Sequence, residues 1–160
     1  MTLAAKVLTV SDGVAAGTRD DASGRALVEH LTAVGYEVVA HRVIADGTAA
    51  VVDALAELAD GFAGLIVTTG GTGFGPRDLT PEGTRSVVER EAPGIVEAIR
   101  RASDAGDRGF GMLSRAVAGT RGQALICNLP GSASGAAEGF AVLAPIVPHA
   151  LDLLAGGRPH

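Results

Sequence analysis

The chain has 160 residues and a mass of 15.9 kDa, enough for one hydrophobic core and too little for two ordinary domains, so residues 1–160 are expected to form a single domain. Hydrophobic residues make up 47% and charged residues 19%, which excludes a disordered chain. The net charge of -5, with no basic run, excludes the dense cationic face that nucleic acids require.

Other classes fall on composition as well. Lys6 is the single lysine among 13 basic residues, which excludes the lysine-dependent phosphate loops; a cation in an anion site should be arginine. The lone Cys127 can form neither an intrachain disulfide nor a cysteine-rich metal site. His30, His41, His149 and His160 lack ligand-like spacing. No leader and no apolar span of about 20 residues is read, so no membrane partner and a cytoplasmic location are expected.

In chain order, Lys6 to Val10 is a β-rich run ending at Ser11-Asp12-Gly13. Ser23 to Val34 then sets Ala26, Leu27, Leu31 and Val34 at helical spacing, and Gly35 ends that helix. Tyr36 to Ile44 reads as a second strand. Asp46-Gly47-Thr48 reads as the cap of a helix carrying Val51, Val52, Leu55 and Leu58 on one face. Leu65 to Thr69 is a third strand. Strands alternating with helices of about a dozen residues imply βαβ units and a parallel sheet covered on both faces.

Gly70-Gly71-Thr72-Gly73-Phe74-Gly75-Pro76-Arg77-Asp78 follows the third strand. Thr80-Pro81 reads as an N-cap with proline at the first helical position, opening a short helix over 82–89. Pro93-Gly94 punctuates, and Ile95 to Ala102 reads as a further helix. Gly106 to Gly111 is expected to be a loop, and Arg115 to Ala118 and Gln123 to Asn128 to be two strands turned at Gly119 to Gly122. Ala133 to Leu154 is a closing helical stretch interrupted by Pro145 and Pro148.

The glycine loop is the strongest chemical signal, because consecutive glycines let backbone N–H groups approach a phosphate closely. It lacks Gly-Lys-Ser/Thr and the GxGxxG spacing, so neither P-loop hydrolysis nor dinucleotide binding follows. Arg77 offers a guanidinium to a phosphate and Asp78 a carboxylate to magnesium, or the two form a surface pair that starts the next helix. Asp46 is either a ligand or an ordinary cap. Ser114-Arg115 and Asn128-Leu129-Pro130-Gly131-Ser132 offer a hydroxyl, a guanidinium, an amide and a helix N-terminus, or else a loop and a cap. Ser11-Asp12, Asp46 and the loop through Asp78 each follow a predicted parallel strand, so all should gather at the strand ends where open α/β sheets bind ligands.

Taken together, Leu8-Thr9-Val10-Ser11-Asp12 with Gly17 and Asp21-Ala22-Ser23-Gly24, Thr68-Thr69-Gly70-Gly71-Thr72-Gly73 with Arg77-Asp78-Leu79-Thr80-Pro81-Glu82, Met112 to Arg115, Gly119 to Gly122 and Asn128 to Gly131 resemble the molybdopterin-binding family of Mog and MoaB proteins and the G domains of gephyrin and plant Cnx. The resemblance spans nearly the whole chain. It implies a three-layer α/β/α fold with a mostly parallel sheet, a homotrimer, and Mg-dependent transfer of AMP from ATP to the terminal phosphate of molybdopterin, with a molybdenum-insertion protein downstream. It places Asp46 and Asp78 on the family's two functional aspartates, as catalytic and magnesium-binding groups. Ser11, Asp12, Asp21, Thr69, Gly70, Gly71, Thr72, Gly73, Arg77, Ser114, Arg115, Asn128, Pro130, Gly131 and Ser132 fall on its substrate-binding segments. Ser132-Ala133-Ser134-Gly135 departs from relatives that carry proline, asparagine or lysine there. Two rivals stand beside this reading: a MoaB-like pterin carrier or scaffold without turnover, and a nucleotide- or sugar-phosphate enzyme on a flavodoxin-like sheet.

Overall fold

The structure is a computed structural model that describes residues 2–105 and 109–158. The chain runs β1 (Ala4–Val10), α1 (Asp12–Ala15), α2 (Ala22–Ala33), β2 (Glu37–Ile44), α3 (Thr48–Ala59) and β3 (Gly64–Thr69). It continues with α4 (Thr80–Val87), β4 (Arg90–Glu91), α5 (Pro93–Asp104) and a 3-10 turn (Phe110–Leu113). β5 (Ala118–Arg121), β6 (Ala124–Leu129), α6 (Ala133–Leu143), a second 3-10 turn (Ala144–Ile146) and α7 (Val147–Leu154) complete it.

The sheet has the order β2-β1-β3-β6-β5-β4. β2, β1, β3 and β6 are parallel, whereas β6-β5 and β5-β4 are antiparallel. This matches the expected mixed, mostly parallel sheet. Side chains alternate across it with the strand period of two. Ala5, Val7, Leu65, Val67, Leu125 and Cys127 join Leu27, Leu31, Ile99, Phe140 and Val147 on one face. Leu8, Val10, Ile66 and Ile126 join Val51, Leu55, Leu58 and Val87 on the other. The three layers are therefore α2, α5, α6 and α7, then the sheet, then α3 and α4. Cys127 is fully buried, and burial pushes its thiol up to about 12, so it is an inert core residue. Tyr36 and Phe140 supply an edge-to-face aromatic contact at 5.9 Å.

Several boundaries differ from the expectations, each for a local reason. Thr80 is not an N-cap: the helix begins at Thr80 with Leu79 as cap residue, and the Thr80 hydroxyl instead donates to Gly70 O at 2.9 Å. Asp46 is not a side-chain cap either, because Gly47 is the cap residue of α3 and no side chain bonds its N-terminus. Arg115 to Val117 is not a strand. The Arg115 amide donates to Thr72 O and the Val117 amide to the Asn128 side chain, so the ladder starts only at Ala118. The hairpin turn falls at Gly122-Gln123 and not over 119–122. Part of the expected loop over 106–111 lies outside the described residues, and its end is the first 3-10 turn.

α1 and β4 have four and two residues, too few for periodicity to reveal. The stretch 133–154 forms one continuous helical run of 22 residues containing an 18-residue window of mean hydropathy 1.4, long and apolar enough by length and composition to cross a membrane, contrary to the reading of no such span. It contains the 3-10 turn in which Pro145 lies. Phe140, Leu143 and Val147 insert into the core, and Pro148 lies in the first turn of α7 and does not interrupt it.

Candidate functional site

β1 stands between β2 and β3, so the chain leaves it toward one neighbour through α2 and returns to the other through α3. This switch point opens a crevice at the carboxyl ends of the strands. A cleft of about 480 Å³ lies there, the size of a small-ligand site. Ser11, Asp46, Thr69, Gly70, Gly71, Asp78, Gly131 and Ser132 all line it, so residues far apart in sequence meet as expected.

The glycine loop is shaped by close approaches. Gly70 has φ +100°, and a Cβ there would meet Val10 O at 2.2 Å. Gly71 has φ +69°, and its Cβ would meet the Thr80 hydroxyl at 2.3 Å and Asp46 Oδ1 at 3.1 Å. A side chain at either position is both strained and obstructed. The loop thus passes directly over the Asp46 carboxylate. Asp78 closes the next turn: its Oδ2 accepts from the Gly75 amide at 2.9 Å, and a Cβ on Gly73 would lie 3.1 Å from that oxygen.

Arg115 fixes this loop from behind. Its guanidinium donates to Gly73 O at 2.9 Å, to Asp78 O at 2.5 Å and to the Glu82 carboxylate. All of these bonds are internal, so the structure makes Arg115 a staple of the loop, where the sequence suggested a substrate contact. Asn128 is likewise consumed: fully buried, it donates to Thr68 and Thr84 hydroxyls at 3.0 and 2.9 Å and accepts from the Val117 amide at 3.0 Å. Ser114 accepts from the Ala116 amide through its hydroxyl and from Arg100 through its carbonyl. Thr72 is buried and, like Asn128, Ser114 and Arg115, stands outside the cleft lining.

The three loops following β1, β2 and β3 are tied by one network. The Asp12 amide donates to Asp46 Oδ2 at 2.9 Å, and the Asp46 amide donates to Asp12 Oδ1 at 3.1 Å. Arg77 grips the Asp12 carboxylate through two nitrogens at 2.5 and 3.0 Å and donates to Asp46 O at 2.9 Å. Arg77 is therefore paired with a carboxylate, and its guanidinium orients the Asp46 loop. That hydrogen bond holds the Asp12 carboxyl below its ordinary value. Burial pushes Asp46 up, and the Asp12 and Asp78 carboxylates add to this while the Asp12 amide opposes it.

Magnesium can be tested against this donor set. Among the described residues no three His, Cys, Asp or Glu side chains form a metal cage. Two carboxylates beside a cleft nonetheless suit a hard cation that retains waters and takes its remaining oxygens from substrate phosphates. The upward push on Asp46 comes first from burial, with the Asp12 and Asp78 carboxylates adding to it; a dication would relieve that added repulsion, so the residues fit.

Thr69 donates to Pro130 O at 2.7 Å, joining the glycine loop to the Pro130-Gly131-Ser132 turn, where a Cβ on Gly131 would come within 3.3 Å of Gly70 Cα. Ser11 and Ser132 are N-caps, accepting from Val14 N and Gly135 N. Asp21 caps α2 through Gly24 N at 3.1 Å, accepts from Thr9 and pairs with His41 Nε2 at 2.9 Å; its neighbours Asp20 and Ala22, not Asp21 itself, line the cleft. Sequence reasoning missed Arg19 and Ser23. The available signal was their place after β1, at the same sheet edge as Ser11.

Residues 6–149 match the family model described as "Probable molybdopterin binding domain". A molybdenum cofactor biosynthesis bifunctional protein of Synechococcus elongatus is 39% identical over 153 residues, covering 95% of this chain but 47% of that protein. The chain thus spans about half the length of this bifunctional relative. A molybdopterin adenylyltransferase of Helicobacter pylori is 35% identical, with 94% of this chain and 86% of that protein covered. The solved structure of MoaB from Thermus thermophilus, described as a molybdopterin biosynthesis enzyme, superposes with a TM-score of 0.88 at 41% identity over 99% of this chain and 100% of that one.

Proposed function

The chain belongs to the molybdopterin-binding-domain family, and from that premise we propose that it is an enzyme of molybdenum cofactor biosynthesis, a molybdopterin adenylyltransferase. The reaction moves AMP from ATP to the terminal phosphate of molybdopterin and releases pyrophosphate. The observation that carries this reading is the convergence of Asp46, Asp78 and the glycine loop on one cleft at the switch point of the sheet. The adenylyltransferase named among the relatives supports the activity.

The nucleophile is a phosphate oxygen of molybdopterin, already anionic, so no general base is needed. An oxygen–phosphorus bond forms at the α-phosphorus as the bond from that phosphorus to the oxygen bridging it to the β-phosphate breaks, and the electron pair leaves with pyrophosphate. Mutual repulsion of two polyanions is the barrier to be lowered. Asp46 and Asp78 would hold magnesium, which would supply positive charge against the triphosphate when bound. Gly70 and Gly71 would offer backbone N–H groups to a phosphate in the cleft. Arg77 and Asp12 keep Asp46 in place, and Arg115 keeps the loop in shape. A homotrimer, a cytoplasmic location and hand-over of product to a molybdenum-insertion protein belong to the same proposal.

The test is incubation with ATP, magnesium and molybdopterin, followed by mass detection of adenylylated pterin and pyrophosphate. Wild-type protein is expected to form both, and Asp78→Asn to lose at least about a hundredfold in turnover without loss of folding. Pterin binding with no ATP consumed would make the protein a carrier and overturn the enzymatic reading.

A further inference from the structure

The first turn of α2 puts no apolar side chain into the core, where the first residue of this helix is Leu27. What ties that turn to the sheet is polar. Asp21, its cap residue, accepts from the Gly24 amide at 3.1 Å, from the Thr9 hydroxyl of β1 at 3.0 Å and from His41 Nε2 of β2 at 2.9 Å. Little of this cluster meets water: Thr9 is buried, and the side chains of Asp21 and His41 keep only 14% and 27% of their surface.

The chemistry of the partners assigns the hydrogens. A carboxylate only accepts, so Nε2 carries the hydrogen directed at Asp21. The Thr9 hydroxyl gives its own hydrogen to the same carboxylate and turns a lone pair toward Nε2 at 3.2 Å. A Cβ on Gly24 would lie 2.3 Å from Thr9 Oγ1 and 2.5 Å from both Asp21 oxygens. The helix backbone therefore rests directly on the cluster, with no slack between them, and has to shift when Asp21 shifts.

The same segment walls the cleft, which Thr9, Arg19, Asp20, Ala22 and Ser23 all line. Its remaining ties are weak. The Asp20–Arg25 pair is more than half exposed at both partners, where water screens it, and the Thr18 and Arg19 amides reach no further than Gly13 O of their own loop. We infer that His41 is a positioning residue for the cleft: its Nε2–H holds Asp21 and, through Asp21, sets the wall over 19–23 against the sheet. His41 stands on the edge strand and outside the cleft lining, so it acts through Asp21 and not by contact with a ligand. This rests on the reading of the cleft as the site of adenylate transfer. Asp46 and Asp78 lie in the loops after β2 and β3, so the wall governs how tightly a substrate is held and leaves the reacting side unchanged.

Two variants test this. His41→Leu removes the donor, and His41→Gln restores an N–H at similar reach. In His41→Leu, KM for at least one of ATP and molybdopterin should rise about tenfold, the worth of one hydrogen bond. The accompanying kcat should stay within about twofold, and His41→Gln should recover the wild-type KM to about the same margin. Amide hydrogen exchange of the ligand-free protein gives a second reading: the Gly24 and Arg25 amides, which bond to Asp21, should exchange faster in His41→Leu and recover in His41→Gln, with Ile66 and Val67 of β3 unmoved. Unchanged KM for both substrates, or a kcat that falls as far as KM rises, would overturn the inference. So would a lower melting temperature with faster exchange spread evenly over the sheet, the mark of a residue that only stabilises the fold. If the wild-type chain transfers no adenylate, the dissociation constants of the two ligands take the place of KM, so the enzymatic reading can fail while the role of His41 is still decided.

Discussion

At the scale of single residues, Asp46 is a carboxylate that the fold holds at a cost in stability. Its folded carboxyl titrates above the ordinary value of 3.8, chiefly through burial. The folded state therefore binds more protons than the unfolded one between those values, and stability falls as pH rises through that window. At neutral pH the ionised carboxylate is a cost. Asp46→Asn keeps an oxygen for the Asp12 amide and removes the charge, so it should melt higher than wild type at pH 7, with the gain gone near pH 3, while adenylate transfer drops at least about a hundredfold. Melting curves at both pH values beside a turnover assay check this, and a lower melting temperature at pH 7 would contradict it. Pterin should still bind, and loss of its affinity would place Asp46 in the pterin pocket. Sequence placed Asp46 and Asp78 at the correct edge because position after a parallel strand is legible. The internal pairing of Arg77, Arg115 and Asn128 was not legible, because it depends on partners such as Asp12 and Glu82 that lie 65 and 33 positions away from Arg77 and Arg115.

At the scale of elements, the glycine loop owes its shape to neighbours outside it. Arg115 joins Gly73, Asp78 and α4 through Glu82. Arg115→Lys should not substitute, because one ammonium cannot span the acceptors that a planar fork reaches. Loss of such charge-assisted bonds costs about 1.5–3 kcal/mol each before relaxation, so Arg115→Lys should lose stability and turnover together, read by denaturant unfolding and by the transfer assay. Full activity in that variant would show that the loop holds its own shape. Asn128 plays the same part between β6, β3 and α4. Asn128→Ala strands the Val117 amide, at about 1–3 kcal/mol for a buried unsatisfied group, and urea unfolding should show a lower midpoint at unchanged slope. The misplaced β5 has the same origin. Arg115 to Val117 has strand-like composition but spends its amides on Thr72 and Asn128, whereas Gly119, which reads as a turn residue, lies in the ladder where a Cβ would meet Arg90 O at 2.5 Å. The parallel half was legible because its helices are long enough for periodicity to show; the antiparallel half is built from strands of four and two residues beside β6.

At the scale of the whole molecule, apolar surface stands beside the glycine loop. Phe74 is 72% exposed and Met112 74%, and the Arg115 bonds to Thr72 and Gly73 hold the segments carrying them side by side. Large exposed apolar side chains grouped in this way mark an interaction surface. Each copy carries a net charge of -5, so copies repel, and association has to come from buried apolar area acting against that repulsion. For the expected homotrimer, sedimentation at micromolar concentration should give about three times the 15.9 kDa chain mass. Association should also tighten as salt rises, because screening weakens the repulsion and leaves the hydrophobic term in place. Met112→Glu adds a charge to the patch and should shift the equilibrium toward monomer, most of all at low salt. A stable wild-type monomer under these conditions would contradict the trimer. A trimer indifferent to Met112→Glu would move the interface to the groove between α5 and α6, where Ile95, Val142 and Ile146 line an apolar hollow of about 380 Å³. The position of the interface matters for chemistry, because an assembly through Phe74 and Met112 would brace the glycine loop from outside as Arg115 braces it from within. Turnover per chain should then rise with protein concentration along the same curve as trimer formation.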